Sequence, residues 1–253
     1  MITIAIIGSG NVAQHLIQAF TKSDEVELIQ VLVRNKEAVA HLISKEKIIT
    51  NYDELKDIDV FIIAVSNDAI AEVSKQIPYE NQLVVHTSGS VAMNDLDDKN
   101  RKGVFYPLQT FSKNKAVNFN EVAICLESQN PKDYKTLEKI AKYISKSHYS
   151  ISSEQRKALH ISAIFVNNFV NHLYQIGNEI CEEHHVPFNI LKFLIQETAN
   201  KIQTLSPKES QTGPAKRKDT KTINSHLAYL SNENHKEIYK ILTKSIIDND
   251  KKL

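Results

Sequence analysis

The first half of the chain alternates continuously apolar, β-branched runs with stretches in which apolar and polar residues mix at helical spacing. The apolar runs occupy residues 2–7, 26–33, 60–65 and 83–86, and the mixed stretches 11–21, 36–44 and 68–76 fall between them. Strands that are apolar at every position, rather than at alternate ones, are strands buried on both faces, the condition of a parallel sheet covered by helices on each side. The pattern predicts a doubly wound α/β domain. Segments 103–106 and 122–126 read as further strands, and 133–145, following Pro131, as a further helix, so the same domain runs to about residue 151.

From Ser152 onward the strand pattern stops. Ser153 is a cap candidate for a helical stretch reaching about residue 184, and Pro187 opens a second stretch to about residue 205, proline being favoured in the first helical turn. Segments 222–230 and 234–247 are the last helical stretches. Residues 206–221 hold two prolines, a glycine and several charges and read as a long loop, a feature that is usually functional or disordered. The organisation expected is a parallel doubly wound sheet domain over residues 1–151 and a smaller all-α domain over 152–253.

Charge and cysteine usage narrow the partners. Lys and Arg number 31 against 30 Asp and Glu, so no overall field favours nucleic acid or an anionic membrane, and the run Lys216-Arg217-Lys218 is only a local basic patch. The longest uncharged window, 158–178, holds four asparagines, two histidines and a glutamine, which hydrocarbon would not tolerate. Met1-Ile2-Thr3-Ile4 runs directly into strand-like sequence without the pattern of a secretion signal. Cys125 and Cys181 lack metal-ligand spacing and predict free thiols in a reducing compartment, so a cytoplasmic protein with no metal centre is expected.

The candidate chemistry begins after the first strand with Gly8-Ser9-Gly10-Asn11-Val12-Ala13, a G-x-G-x-x-A loop opening a helix. Gly8 permits the tight turn, Gly10 lets the backbone approach a pyrophosphate, and the small Ala13 lets helix and strand pack closely. The helix N-terminus adds unpaired N–H groups and a partial positive charge. The chain has only six glycines, so two at this point do not come from a glycine-rich background. Strand, loop and helix in this order predict dinucleotide binding, through Gly8, Ser9, Gly10, Asn11 and Val12. At the end of the second strand an acid would accept from a ribose 2′-hydroxyl, whereas an arginine accommodates a 2′-phosphate. The chain reads Val33-Arg34-Asn35 there, which favours NADP, with Arg34 and Asn35 as contacts; a solvent-facing arginine is the alternative. Val65 and Ser66 follow the 60–65 strand, and Thr87 and Ser88 follow 83–86, at the sheet edge where ligands bind in open α/β folds. Cofactor contacts at the first pair and substrate contacts at the second compete with plain capping and turn formation.

In the helical half, 100° per residue gathers His160, Asn167, Asn171 and Asn178 on one arc with Asn168 at its flank, and no Lys or Glu stands on that stripe. Such a stripe faces a cleft or another subunit, or else is a buried amide ladder. His160 is the candidate acid or base, with Asn168 and Asn171 beside it; a hydrogen-bonded core histidine is the alternative. Thr212, Gly213 and Arg217, in the loop before the helix that carries His226, suit an anion-contacting lid or a solvated surface loop.

The GSGNVA loop resembles that of the pyrroline-5-carboxylate reductase and coenzyme-F420-dependent NADP oxidoreductase group. The whole chain resembles small bacterial Rossmann-like proteins whose helical C-terminal domain is of unknown function. The resemblance is carried by His86-Thr87-Ser88-Gly89, by Phe105-Tyr106-Pro107-Leu108-Gln109-Thr110-Phe111, by the stretch from His160 to Asn171 ending Asn168-Phe169-Val170-Asn171-His172-Leu173, and by Thr212-Gly213-Pro214-Ala215 with Arg217, Asp219 and His226. It implies a C-terminal domain similar to that of 6-phosphogluconate dehydrogenases, dimeric through its helices. In that wider group a Lys and an Asn on the first long helix of the second domain serve catalysis; here no lysine follows Lys157 on that face, and His160 with Asn168 or Asn171 is the nearest equivalent. The function expected is an NADP-dependent oxidoreductase acting on a small molecule, as a homodimer. The alternative is a non-catalytic NADP(H) sensor or scaffold.

Overall fold

The computed structural model describes residues 1–113 and 115–250 and divides into two compact units, Met1–Asn167 and Asn168–Leu253. The first unit is built on eight strands: β1 (Ile2–Ile7), β2 (Val26–Leu32), β3 (Ile48–Ile49), β4 (Val60–Ile63), β5 (Leu83–His86), β6 (Arg101–Leu108), β7 (Ala123–Ser128) and β8 (Ser147–Ser150). They form one sheet in the order β3-β2-β1-β4-β5-β6-β7-β8. Every neighbouring pair is parallel except β6 and β7. Among the described residues, the α-helices of this unit are α1 (Asn11–Thr21), α2 (Ile70–Gln76), α3 (Pro131–Ile144) and α4 (Ser153–Ala163).

The all-apolar strands supply two cores because successive side chains leave opposite faces of a strand. Ile4, Ile6 and Ile62 join one cluster, with Leu16 and Phe20 of α1 and Leu137 of α3. Ala5, Ile7, Phe61 and Ile63 join the other, with Ile70 of α2. The doubly wound sheet read from the pattern is thus present, with the chain reversing its direction of travel across the sheet between β1 and β4. That reversal leaves a crevice beyond their carboxyl ends, the general ligand position of such folds.

Three local features differ from the pattern. Residues 36–44 form a single 3-10 turn, Lys36–Ala38, capped by the Asn35 side chain, and then further turns rather than a helix. Val39 is nonetheless buried and Leu42 and Ile43 pack against the first core, so the apolar positions do their work without helical backbone. β3 is two residues long, too short to show a period. β8 is an edge strand of sequence Ser-His-Tyr-Ser, half-buried to exposed, and so lacks the apolar signal.

α4 runs on into a π-helical turn, Ile164–Phe169, so the uniform 100° rotation assumed over 158–178 does not hold across those residues. The second unit continues with α5 (Val170–Glu183), a 3-10 turn (Phe188–Leu191), α6 (Lys192–Lys201), α7 (Pro207–Ser210), α8 (Thr220–Tyr229) and α9 (Glu233–Asp250). α7 lies in the segment expected to be loop, opened by a Ser206 capping box with Glu209. Among the described residues of this unit, Ala215 is the single buried apolar residue. Phe193 is 87% exposed and Ile190 66%. No helix among the described residues is long and apolar enough to cross a membrane.

Candidate functional site

The phosphate loop sits at the β1–β4 crevice. Gly8 has φ of +133°, and a Cβ there would lie 2.1 Å from the carbonyl oxygen of Ala64, beyond the end of β4. Only glycine fits, because the backbone angle is left to glycine and the space is already filled by the neighbouring strand. The ladder continues through this point: Gly8 N–H donates to Leu32 O at 2.9 Å and Ala64 N–H to Ile7 O at 2.8 Å. Gly10 is the N-cap of α1, and a Cβ on it would meet nothing within 4 Å, so the face it presents is open. α1 carries no acid in its first turn and no side-chain cap. The N–H groups of Asn11, Val12 and Ala13 find no acceptor among the described residues. Gln14 closes the back of the loop by donating from Nε2 to Ser9 O at 2.8 Å. Unpaired N–H groups at the positive end of a helix, approached over a glycine, form a seat for a pyrophosphate. The residues present therefore fit a dinucleotide.

Arg34 lies just past β2, exposed, and Asn35 accepts from Glu37 N–H at 3.1 Å. The Asn35 Oδ1 is thereby occupied as a cap acceptor. Asn11 Nδ2 donates to Phe111 O at 2.9 Å, latching the segment after β6 to the start of α1. Val65 and Ser66 follow β4, half-buried and exposed respectively, with Ser66 as N-cap of a 3-10 turn, Asn67–Ala69.

Thr87 and Ser88 follow β5 and are both 8% exposed. The Ser88 hydroxyl donates to Asn67 Oδ1 at 2.8 Å and accepts from Ser90 and Val91 N–H, each at 3.1 Å. A hydroxyl with one donor and two acceptor sites is saturated by these three bonds, so Ser88 shapes the turn and ties it to the loop after β4. His86 accepts from Ser88 N–H through Nδ1 at 3.1 Å, and burial pushes its pKa down to about 3, with the Arg156 charge adding to the fall.

His160, on α4, is half-buried. Its Nδ1 lies 3.2 Å from the Tyr106 hydroxyl of β6, the two rings meeting edge-on. Arg156, one turn earlier on α4, is the largest fully buried side chain of the protein. It pairs with Glu127 of β7, and donates to Ser88 O at 3.1 Å, to Val91 O and to Ser153 Oγ. Tyr106, Arg156 and Glu127 were not among the residues singled out as site candidates. Tyr106 stood inside the FYPLQTF segment, but the Arg156–Glu127 pair joins positions 29 apart in the chain and carries no local signal.

The remaining candidates belong to the second unit. Asn168, in the π-helical turn, and Asn171, in α5, are both exposed. Gly213 has φ of +103°, and it opens the turn in which Arg217 N–H donates to Gly213 O at 3.3 Å. Thr212 and Arg217 are exposed. Asp219 caps α8, accepting from Thr222 N–H and Oγ1 at 3.0 and 2.7 Å, and these bonds hold its carboxyl below the usual range, with smaller help from Arg217 and His226. His226 Nδ1 is 2.8 Å from the Tyr239 hydroxyl, beside an apolar cavity of about 510 Å³ among α5, α8 and α9. No cluster of three or more His, Cys, Asp or Glu side chains among the described residues could hold a metal ion.

No curated protein matches the chain. Residues 3–89 match the family model described as NADP oxidoreductase, coenzyme F420-dependent, and residues 122–246 match a domain of unknown function, DUF2520. A crystal structure from Bacteroides fragilis, provisionally assigned as an NADP oxidoreductase, is 36% identical, with 98% of each chain covered and a TM-score of 0.88. A protein from Thermotoga maritima is 20% identical over 98% of this chain and 99% of its own, with a TM-score of 0.73. The NADP-bound pyrroline carboxylate reductase of Plasmodium falciparum shares the fold at 14% identity, 97% and 98% coverage and a TM-score of 0.59. The chain therefore belongs to the family of the Bacteroides fragilis protein; its F420-dependent NADP oxidoreductase match covers the start of the sheet unit, and its DUF2520 match begins in that sheet at β7 and runs on through the helical unit.

Proposed function

We propose that the chain is an NADP(H)-dependent oxidoreductase acting on a small molecule. The observation that carries this reading is the phosphate loop at the β1–β4 crevice, with its glycine-only turn at Gly8 and the uncapped, acid-free start of α1. Gly8, Ser9, Gly10, Asn11 and Val12 hold the pyrophosphate, Arg34 with Asn35 meets the 2′-phosphate, and Val65 and Ser66 border the dinucleotide beyond β4. The dinucleotide, when bound, supplies or takes the hydride. His160 manages the hydrogen bond at the substrate atom that gains or loses a proton. Thr87 bounds the substrate, and Ser88 folds the turn beside it. The pyrroline carboxylate reductase named above makes cyclic imine acids the first substrates to try.

The second copy of this chain is the proposed partner, through the helical domain. Burial of apolar surface is the main driving term of folding, yet the apolar clusters found among the described residues lie within residues 1–167. A helical unit with Ala215 as its buried apolar residue acquires its core by association. The two free thiols fit a reducing cytoplasm.

Binding is tested by quenching of NADPH fluorescence. Arg34→Asp is expected to weaken NADPH by about tenfold or more while NADH changes little, since a charge-assisted contact to phosphate is lost. Equal loss for both coenzymes would overturn the Arg34 assignment. NADPH oxidation with a panel of cyclic imine acids and 2-keto acids, abolished in His160→Ala with binding intact, supports the enzyme. Binding without turnover of any panel member supports a sensor or scaffold.

A further inference from the structure

The proposed function leaves open which nitrogen of His160 carries its proton, and the side chains around the ring decide it. Nδ1 faces the Tyr106 hydroxyl at 3.2 Å, with ring centroids 6.2 Å apart and planes at 75°. Nε2 makes no hydrogen bond among the described residues and is not a buried orphan. Tyr106 is nearly buried, and burial raises its phenol pKa, so it is a neutral hydroxyl with one hydrogen to place. His160 Nδ1 is its sole hydrogen-bond partner among the described residues. Were Nδ1 protonated, the phenol oxygen would accept and its own hydrogen would find no acceptor among the described residues, a cost that donation to Nδ1 avoids.

Gly89 makes this contact possible. A Cβ at Gly89 would lie 2.7 Å from Nδ1 of His160 and 2.8 Å from Cζ of Tyr106, closer than real Cβ contacts come. Its φ is ordinary, so the glycine serves space rather than backbone conformation. The turn carrying it is held by the same helix that carries His160. Arg156, four residues before His160 on α4, donates to Ser88 O and Val91 O on either side of Gly89. The ring and the turn it rests on are thus fixed together.

We infer that Tyr106 is a positioning residue whose hydroxyl donates to His160 Nδ1, placing the imidazole proton on Nε2 so that His160 serves as a neutral hydrogen-bond donor to the reacting oxygen or nitrogen of the substrate. This rests on the reading of His160 as the residue facing that atom. A neutral imidazole with Nε2–H polarises a C=O or C=N group without changing its own charge, whereas the opposite tautomer would present a lone pair and act as a base. Gly89 is the second half of the device, since it gives the ring its room.

The test is long-range ¹⁵N–¹H NMR of the imidazoles in the full-length protein, with His160→Gln identifying the His160 signals. The expected wild-type spectrum has Nε2 protonated and Nδ1 as a hydrogen-bonded acceptor. In Tyr106→Phe, which removes only the hydroxyl, Nδ1 moves to the position of a free acceptor. In Gly89→Ala the His160 signals shift as the ring is displaced. A protonated Nδ1 in the wild type, or an unchanged His160 spectrum in Tyr106→Phe, would overturn the inference; circular dichroism shows that each variant is folded, and Tyr106→Phe suffices if Gly89→Ala is not. With the panel member that is turned over, Tyr106→Phe is expected to lower kcat by about tenfold or more at unchanged KM, as loss of the correct tautomer does elsewhere. Turnover retained in His160→Ala would instead remove the catalytic reading of His160 itself while leaving the tautomer result standing, so the two failures are distinguishable.

Discussion

At the scale of the residue, the phosphate loop shows how one glycine can be required twice. Gly8 needs a positive φ, and its Cβ position is occupied by the Ala64 carbonyl of the adjacent strand. Gly8→Ala is therefore expected to cost about 2 kcal/mol or more in unfolding free energy, from the strained backbone and the displaced strand end together. Urea denaturation checks it; an unchanged midpoint and unchanged NADPH affinity would show that the turn relaxes freely. Gly10 is the contrasting case, with open space where its side chain would be, and that space is where the proposed function puts the pyrophosphate. His86 supplies a pH dependence. Burial lowers its pKa from 6.5 to about 3, so the folded chain keeps it neutral where the unfolded chain takes up a proton. The unfolded state binds more protons between those values, so stability falls as pH drops from 6.5 toward 3, by about 1.4 kcal/mol per pH unit from this group. Urea unfolding at several pH values should give a shallower acid limb for His86→Gln than for the wild type. Parallel limbs would mean that His86 charges in the folded chain.

At the scale of the element, α6 shows what an isolated helix reveals about its surroundings. Its outer surface presents Phe193 and Leu194, and the preceding 3-10 turn presents Ile190, all exposed. Contiguous apolar surface of this kind marks an association site. Phe193→Glu is expected to shift the chain from dimer toward monomer in sedimentation velocity and to lower its thermal midpoint. A wild-type chain that sediments as a monomer at micromolar concentration would end the dimer proposal. α4 teaches a different lesson. Its sequence offered Ser153 as the cap, whereas the cap is Ser152, one residue earlier, in a capping box with Gln155, and its apolar positions are few. What anchors it is Arg156, whose guanidinium reaches Glu127 on β7 and two carbonyls of the turn after β5. An arginine at a helical position reads as solvated surface in one dimension. Only the fold shows that this one is enclosed, with its charge paired and each of its three nitrogens hydrogen-bonded.

At the scale of the whole molecule, legibility followed the range of the forces involved. The apolar runs at 2–7, 60–65 and 83–86 predicted doubly covered parallel strands because burial on both faces imposes a composition on every residue of a strand. β8 escaped because an edge strand is under no such demand, and β3 because two residues cannot show a period. The phosphate loop was readable because its constraints are local: a turn, an approach distance and a helix start within six residues. Arg34 stands at a fixed offset from a strand end, and the proposed 2′-phosphate contact is argued from that offset. The wheel that grouped His160 with the asparagines assumed a uniform helix, and the π-helical turn Ile164–Phe169 breaks that assumption at a place no single residue announces. The sequence by itself determined the strand–loop–helix order and the glycine turn of the phosphate loop, since each depends on neighbours in the chain. Tertiary structure alone decided that Tyr106, Gly89 and His160 meet, that Ser88 is consumed by its own turn, and that Arg156 is buried. Those facts join positions as far as 71 residues apart (Gly89 to His160), and a contact between distant segments leaves no trace in either segment taken alone.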